Sequence, residues 1–167
     1  YMTILGIDPG LAIVGWGVLE YRASHFTPVA YGSILTPKEC TTSQRLQRIY
    51  REMTEIIRRY RPDAMAVEEL FFNTNQTTGI RVAEARGVIL LVGEECGLTL
   101  AEYTPLQVKQ AVVGYGRAEK KQVIAMVTRL LGLEQPPKPD DTADALALAI
   151  THAHSGGSRL ASYYNKA

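Results

Sequence analysis

Apolar residues in the first third of this chain come in short runs, and after that mostly at helical spacing. Thr3 to Asp8 is an apolar run stopped by Pro9-Gly10, Ile13 to Tyr21 continues with glycines in place of some side chains, and Val29 to Leu35 follows a polar turn. These runs predict three strands joined by short connections, close enough in sequence to form an antiparallel meander. Next, Leu46, Ile49, Tyr50, Met53, Ile56, Ile57 and Tyr60 recur at three- and four-residue steps, the stripe of an amphipathic helix that Pro62 ends. Asp63 to Leu70 predicts a buried strand, followed by a polar loop, a helix from about Thr77 to Cys96 and a short strand from Thr99 to Tyr103. Thr104 is a good N-cap with Pro105 in the first turn, Glu119 opens a helix to Leu131, and Asp140 caps an alanine-rich helix to about His154. The order βββαβαβαα predicts an α/β fold with helices on both sides of a mixed sheet. Residues 2–155 read as one domain, and 156–167, opening on Gly156-Gly157 with little to bury, as a frayed tail.

Composition narrows the function classes. A length of 167 residues suits a single domain with a full core. The net charge of +1 is too small to make the whole molecule a polyanion binder, so any nucleic-acid surface must be a local patch. Candidates are the six arginines from Arg45 to Arg61, with Arg45, Arg48, Arg51 and Arg58 opposite the apolar stripe, and the group Lys109, Arg117, Lys120 and Lys121. Cys40 and Cys96 form no metal spacing and no disulfide framework, and read as reduced thiols of a cytoplasmic protein. No stretch has the layout of a secretory signal, and apolar runs such as Val88 to Val92 are far too short to span a bilayer, which predicts a soluble protein with no membrane partner. Tyr1, ahead of Met2, reads as a leftover of processing.

Four acids stand where predicted elements begin or end. Asp8 closes the first strand, Glu68 lies late in the strand after the first helix, and Asp141 and Asp144 sit three residues apart in the first turn of the last helix, on one face. Ligands of α/β sheets gather at the carboxyl ends of strands, so Asp8 and Glu68 can share one crevice. Hard cations such as Mg²⁺ take oxygen ligands, usually one or two carboxylates per ion, so four acids suit two ions. Two ions about 4 Å apart can steady both the attacking and the leaving oxygen of a phosphoryl displacement. Each acid also has a plainer role: Asp8 starts the turn before Pro9, Glu68 is a strand-end acid, and Asp140 and Asp141 favour a helix N-terminus.

Other features carry less chemistry. Phe71-Phe72, ahead of Asn73-Thr74-Asn75-Gln76, puts two aromatics after Glu68; Phe71 is placed to stack on an unpaired base and Phe72 is expected to tuck into the core. His25, His152 and His154 lack metal-ligand spacing and receive no role. Gly10, Gly15 and Gly17 lack the Gly-Lys-Ser/Thr and the helix of a phosphate loop, and glycines in paired strands more often permit close backbone packing.

Gly6-Ile7-Asp8-Pro9-Gly10, Val67-Glu68 followed by Phe71, Gln107-Val108-Lys109-Gln110, Ala118-Glu119-Lys120 and Asp141-Thr142-Ala143-Asp144-Ala145-Leu146-Ala147 together resemble the RuvC-type Holliday-junction resolvases, in that order and across about Met2 to His154. The resemblance implies a ribonuclease-H-like α/β fold, a five-stranded mixed sheet flanked by helices on both sides. It implies Asp8, Glu68, Asp141 and Asp144 as catalytic metal ligands for two Mg²⁺ ions, with Mn²⁺ as a substitute. Phe71 would contact junction bases, and Lys109 and Lys120 would lie near the cut phosphate, with Arg117 and Lys121 in the same DNA-binding patch. The implied activity is paired, symmetric nicking of four-way DNA junctions in recombination and repair, leaving 5′-phosphate and 3′-hydroxyl ends, by a homodimer working beside the RuvA–RuvB branch-migration complex. The second long helix suits the dimer: Val88-Ile89-Leu90-Leu91-Val92 puts apolar side chains around its axis and Ala83, Ala85 and Gly87 let a neighbour approach, although burial within its own domain accounts for the pattern equally well.

Competing functions remain at this point. The same fold could act on RNA or other branched DNA, since the acids alone do not choose a substrate. A kinase-like domain also ends its first strand in Asp-x-Gly but generally needs a second such domain, and a junction-binding protein without activity would not need all four acids.

Overall fold

The computed structural model describes residues 1–70 and 76–155. Its elements are β1 (Met2–Asp8), β2 (Ile13–Arg22), β3 (His25–Leu35), α1 (Thr42–Tyr60), β4 (Ala64–Glu68), α2 (Gln76–Glu95), β5 (Thr99–Tyr103), α3 (Pro105–Val112), α4 (Lys120–Leu130) and α5 (Asp140–Ser155). One sheet runs β3-β2-β1-β4-β5, with β2 antiparallel to both β1 and β3, and β4 parallel to both β1 and β5. The three-strand meander and the mixed sheet are as expected.

Alternation along the strands divides the core into two layers. Leu5, Ile7, Val14, Val18, Met65 and Val67 face Ile49, Met53 and Ile57 of α1 and Ile89 and Val92 of α2. On the opposite face Ile4, Leu19 and Ala66 meet α5, which is covered in turn by Val108 and Val112 of α3 and Val123 and Val127 of α4. Helix α5 is therefore buried almost all round, from Ala145 through Ala153, which explains its small side chains.

Two glycines set how closely α5 lies on the sheet. A Cβ on Gly6 would stand 1.9 Å from the Ala145 carbonyl oxygen, and one on Gly15 2.0 Å from the Asp141 carbonyl oxygen. Both obstacles are backbone of a buried helix and cannot turn aside. Gly6→Ala is expected to cost more than about 3 kcal/mol, beyond ordinary overpacking. Gly87→Ala, whose Cβ meets nothing within 4 Å, should leave stability unchanged or slightly raised. Equal melting temperatures for the two variants would contradict this packing.

Several boundaries differ from those expected. Strand β3 starts at His25, not Val29, because Ala23 and Ser24 (φ 49° and 63°) make a two-residue hairpin that pairs Arg22 with His25. Pro28 is tolerated there because β3 is an edge strand and the pairing slips beside Val29. Strand β4 is shorter than Asp63–Leu70, and the three helix starts after β5 open three separate helices, one more than the order βββαβαβαα counts. Asp140 is the first residue of α5 rather than its cap; the Pro139 carbonyl accepts the Thr142 N–H at 2.9 Å. The start of α1 and that of α3 are reciprocal capping boxes, Thr41 with Gln44 and Thr104 with Gln107. Among the described residues no helix is long and apolar enough to cross a membrane.

Candidate active site

β1 and β4 are adjacent and parallel, with Ile7 opposite Val67, so Asp8 and Glu68 emerge side by side at the carboxyl end of the sheet. The close seating of α5 on Gly6 and Gly15 carries Asp141 and Asp144 to the same end. Burial pushes the Asp8 carboxyl up from 3.8 to about 8, reinforced by the charges of Asp144, Glu68 and Asp141 and by a hydrogen bond with Asp141. Glu68 is raised by burial and then by Asp144; Asp144 is raised by burial, against the pull of Lys120. Asp8 thus feels the other three acids in a half-buried crevice, which is costly for the folded chain unless cations enter.

Lys120 supplies one positive charge. As the first residue of α4, packed beside α5, its Nζ lies 3.3 Å from Asp144 and 3.8 Å from Asp140. Partial burial pulls its pKa down, but Asp144 and Asp140 outweigh that and leave it raised, so it is a fixed cation at neutral pH. Lys120 and Lys109 share with Glu68, Asp144, Val108 and Leu148 the lining of a cavity of about 290 Å³. Lys121 points away, 83 % exposed and paired with Glu119 at 3.4 Å, and Arg117 is exposed. The structure brings Lys109 and Lys120 to the acids and leaves Lys121 outside their crevice. Phe71 and Phe72, and the tail from Gly156, lie outside the described residues.

The donor set suits hard divalent cations: every candidate ligand is a carboxylate oxygen, and Asp8, Glu68 and Asp144 are raised first by burial and then by neighbouring acids, a cost that a bound cation would offset. Side chains would have to close in. Among the described residues no three acidic, histidine or cysteine side chains already stand together as a cation site, and Lys120 holds Asp144 instead.

Two supporting contacts lie outside any sequence motif. Arg86 of α2 donates through Nε to the Glu68 carbonyl at 3.3 Å and pairs through Nη2 with Glu102 of β5 at 2.6 Å, pinning the strand end that carries Glu68. Tyr103, opposite Glu68 in the β4–β5 register, shares a 2.7 Å hydrogen bond with Nδ1 of His152, locking the end of β5 to α5. His152, expected to have no role, is a buried ring whose pKa burial lowers. Helix spacing gave a signal for neither, because each partner comes from a distant element.

A five-stranded mixed sheet in this order, with acids at the ends of adjacent parallel strands and on a helix laid across them, is the architecture of the ribonuclease-H-like proteins. The family model described as crossover junction endodeoxyribonuclease RuvC matches residues 4–152. A crossover junction endodeoxyribonuclease RuvC of Alkaliphilus metalliredigens is 59% identical over 155 residues, covering 93% of this chain and 94% of that protein. One of Heliobacterium modesticaldum is 57% identical over 154 residues, covering 92% and 95%. The solved structure of Thermus thermophilus RuvC in complex with Holliday junction substrate superposes with a TM-score of 0.89 at 38% identity, over 93% of this chain and 95% of that one. The chain belongs to the crossover junction endodeoxyribonuclease RuvC family.

Proposed function

We propose that this protein resolves four-way DNA junctions by paired, symmetric nicks, hydrolysing the phosphodiester to leave 5′-phosphate and 3′-hydroxyl ends. The observation that carries this reading is the convergence of Asp8, Glu68, Asp141 and Asp144 in one crevice of a family whose Thermus thermophilus member was solved on Holliday junction substrate. The four carboxylates would hold divalent cations, Mg²⁺ by preference with Mn²⁺ as substitute. Bound there, such ions supply a water of lowered pKa and neutralise charge on the leaving oxygen.

The chain's own groups do the rest. Half-burial of the crevice strengthens each charge within it. Lys120, cationic and 58 % exposed, can exchange Asp144 for a phosphate oxygen and offset charge that grows during displacement. Lys109, which lines the same cavity, would hold a neighbouring phosphate, with Arg117 and Lys121 attracting DNA from outside it. Phe71, close after Glu68 in sequence, would stack on a base opened at the crossover.

A symmetric junction needs two such sites, and a two-fold homodimer supplies them through one interface. Helix α2 supports this assignment: Ile89 and Val92 are buried in its own domain, whereas Ile80 and Leu91, 56% and 52% exposed, share an outward face with Gly87. The domain is read as residues 2–155, the compartment as cytoplasmic, and the RuvA–RuvB complex as a working partner. Incubation with a synthetic mobile four-way junction and Mg²⁺, resolved on a denaturing gel, is expected to give symmetric paired nicks, with linear duplex and RNA hybrid left whole. Equal cutting of duplex or hybrid would transfer the activity to another nucleic-acid substrate. Sedimentation showing only an 18.4 kDa monomer at micromolar concentration would remove the dimer.

A further inference from the structure

The acids divide two openings. Glu68 and Asp144 line the lysine cavity, while Asp141 lines a second groove of about 510 Å³ on the side of α1 and α2. Its walls are the Pro9–Ile13 turn, Arg45 from α1, and Thr77, Arg81 and Val82 from α2. Arg45 donates through Nε to Thr36 Oγ1 at 2.8 Å and through Nη2 to the Thr36 carbonyl at 3.4 Å, and the Thr36 hydroxyl donates in turn to the Leu11 carbonyl. Arg81 donates through Nη1 to Thr42 Oγ1 at 3.2 Å. Both guanidinium groups are therefore oriented by neutral partners, and among the described residues no carboxylate forms an ion pair with either. By contrast Arg48 and Arg86 are paired with Glu52 and Glu102.

Two guanidinium groups fixed by threonines, each with N–H donors left over, on the wall of an open groove that ends at an acid of the crevice, call for an anionic ligand with more than one oxygen. We propose that this groove is a second DNA-backbone site, in which Arg45 and Arg81 hold phosphates of the strand on the side of the crevice away from Lys109 and Lys120. The assignment rests on the junction-cleaving reading and extends it: a strand crossing the acids is gripped on both sides, so that its phosphate cannot slide past them. A polynucleotide suits the groove better than a free nucleotide because the groove is open and runs into the crevice where the backbone must already lie.

The test is the salt dependence of binding to a fluorescent four-way junction in EDTA, with the full chain. Arg45→Gln and Arg81→Gln should each weaken binding by about tenfold at physiological salt and lower the slope of log K against log salt by about one, the signature of one lost phosphate contact. Arg45→Lys, which keeps the charge, should restore most of the affinity. Arg22→Gln, an exposed arginine at the end of β2 opposite the acids, should match wild type in both affinity and slope. Thermal unfolding separates folding from binding: if Arg45→Gln melts early because α1 is freed from Thr36, the exposed Arg81→Gln still decides. Wild-type cleavage of the junction, together with wild-type affinity and slope for Arg81→Gln and Arg45→Gln, would overturn the groove alone. A wild-type protein that ignores the junction would overturn both the groove and the function it extends.

Discussion

Glu68→Gln is expected to abolish junction cleavage, by a factor of about 10³ or more, while Glu69→Gln should cut at the wild-type rate. The two residues are neighbours of like chemistry, and only their place in the fold distinguishes them. Glu68 ends β4 inside the crevice, with its main chain pinned by Arg86 and its carboxyl raised by burial and by Asp144. Glu69 is exposed and takes part through its backbone, whose N–H bonds the Tyr103 carbonyl at 2.8 Å. Asp8→Asn and Asp144→Asn should be as inactive as Glu68→Gln, because each keeps the shape of the side chain and removes a charge that the proposed cations would need. Junction binding should stay within about twofold for all three, since the basic walls of both openings are untouched. Asp140→Asn should remain active: its contact with Lys120 is long, exposed and worth little. A dead Glu69→Gln beside an active Glu68→Gln would show that the crevice is assigned one residue out of place.

How far the sequence could foretell this site depended on how local each signal was. The run stopped by Pro9 placed Asp8 at a strand end, and Thr104-Pro105 and Glu119 marked helix starts within a residue, because capping and turn chemistry act over three or four positions. Polar His25 and Thr27 hid the start of β3, since an exposed edge strand needs no apolar pattern. Lys120 could not be paired with Asp144 by inspection, because they meet only when α4 docks on α5. The same holds for Tyr103 with His152, 49 residues apart, and for Arg86 with the Glu68 carbonyl. In sequence Arg45 is one of six arginines of a candidate nucleic-acid patch, and the bonds to Thr36 that single it out appear only in the fold. Gly15 and Gly17 of β2 read as packing glycines from the sequence and Gly6 of β1 does not, and the consequence appears only in the fold: Gly6 and Gly15 set the height of α5 over the sheet, and so the position of two acids.

Asp8→Asn should stabilise the metal-free protein even as it destroys activity. The Asp8 carboxyl titrates at about 8 in the folded chain against 3.8 for an ordinary aspartate, so between these values the folded state holds a proton that the unfolded state has lost. Stability therefore falls as pH rises from about 4 to 8, and it is lowest where Asp8, Glu68 and Asp144 are all ionised. At about 1.4 kcal/mol per unit, the upper bound on the cost at pH 7 is about 4 kcal/mol, and solvent relaxation reduces it to the order of 2 kcal/mol. The carboxamide that Asp8→Asn introduces is neutral at every pH and escapes this cost. The melting temperature of the variant at pH 7.5 in EDTA should exceed that of wild type by about 4–8 °C, with the gap closing below pH 4. On the proposed metal-binding reading, saturating Mg²⁺ should raise the wild type, since only the folded chain would gather the carboxylates, and raise Asp8→Asn much less. Parallel stability–pH curves for the two proteins, with equal responses to Mg²⁺, would mean that Asp8 is neither strained by its neighbours nor relieved by a cation.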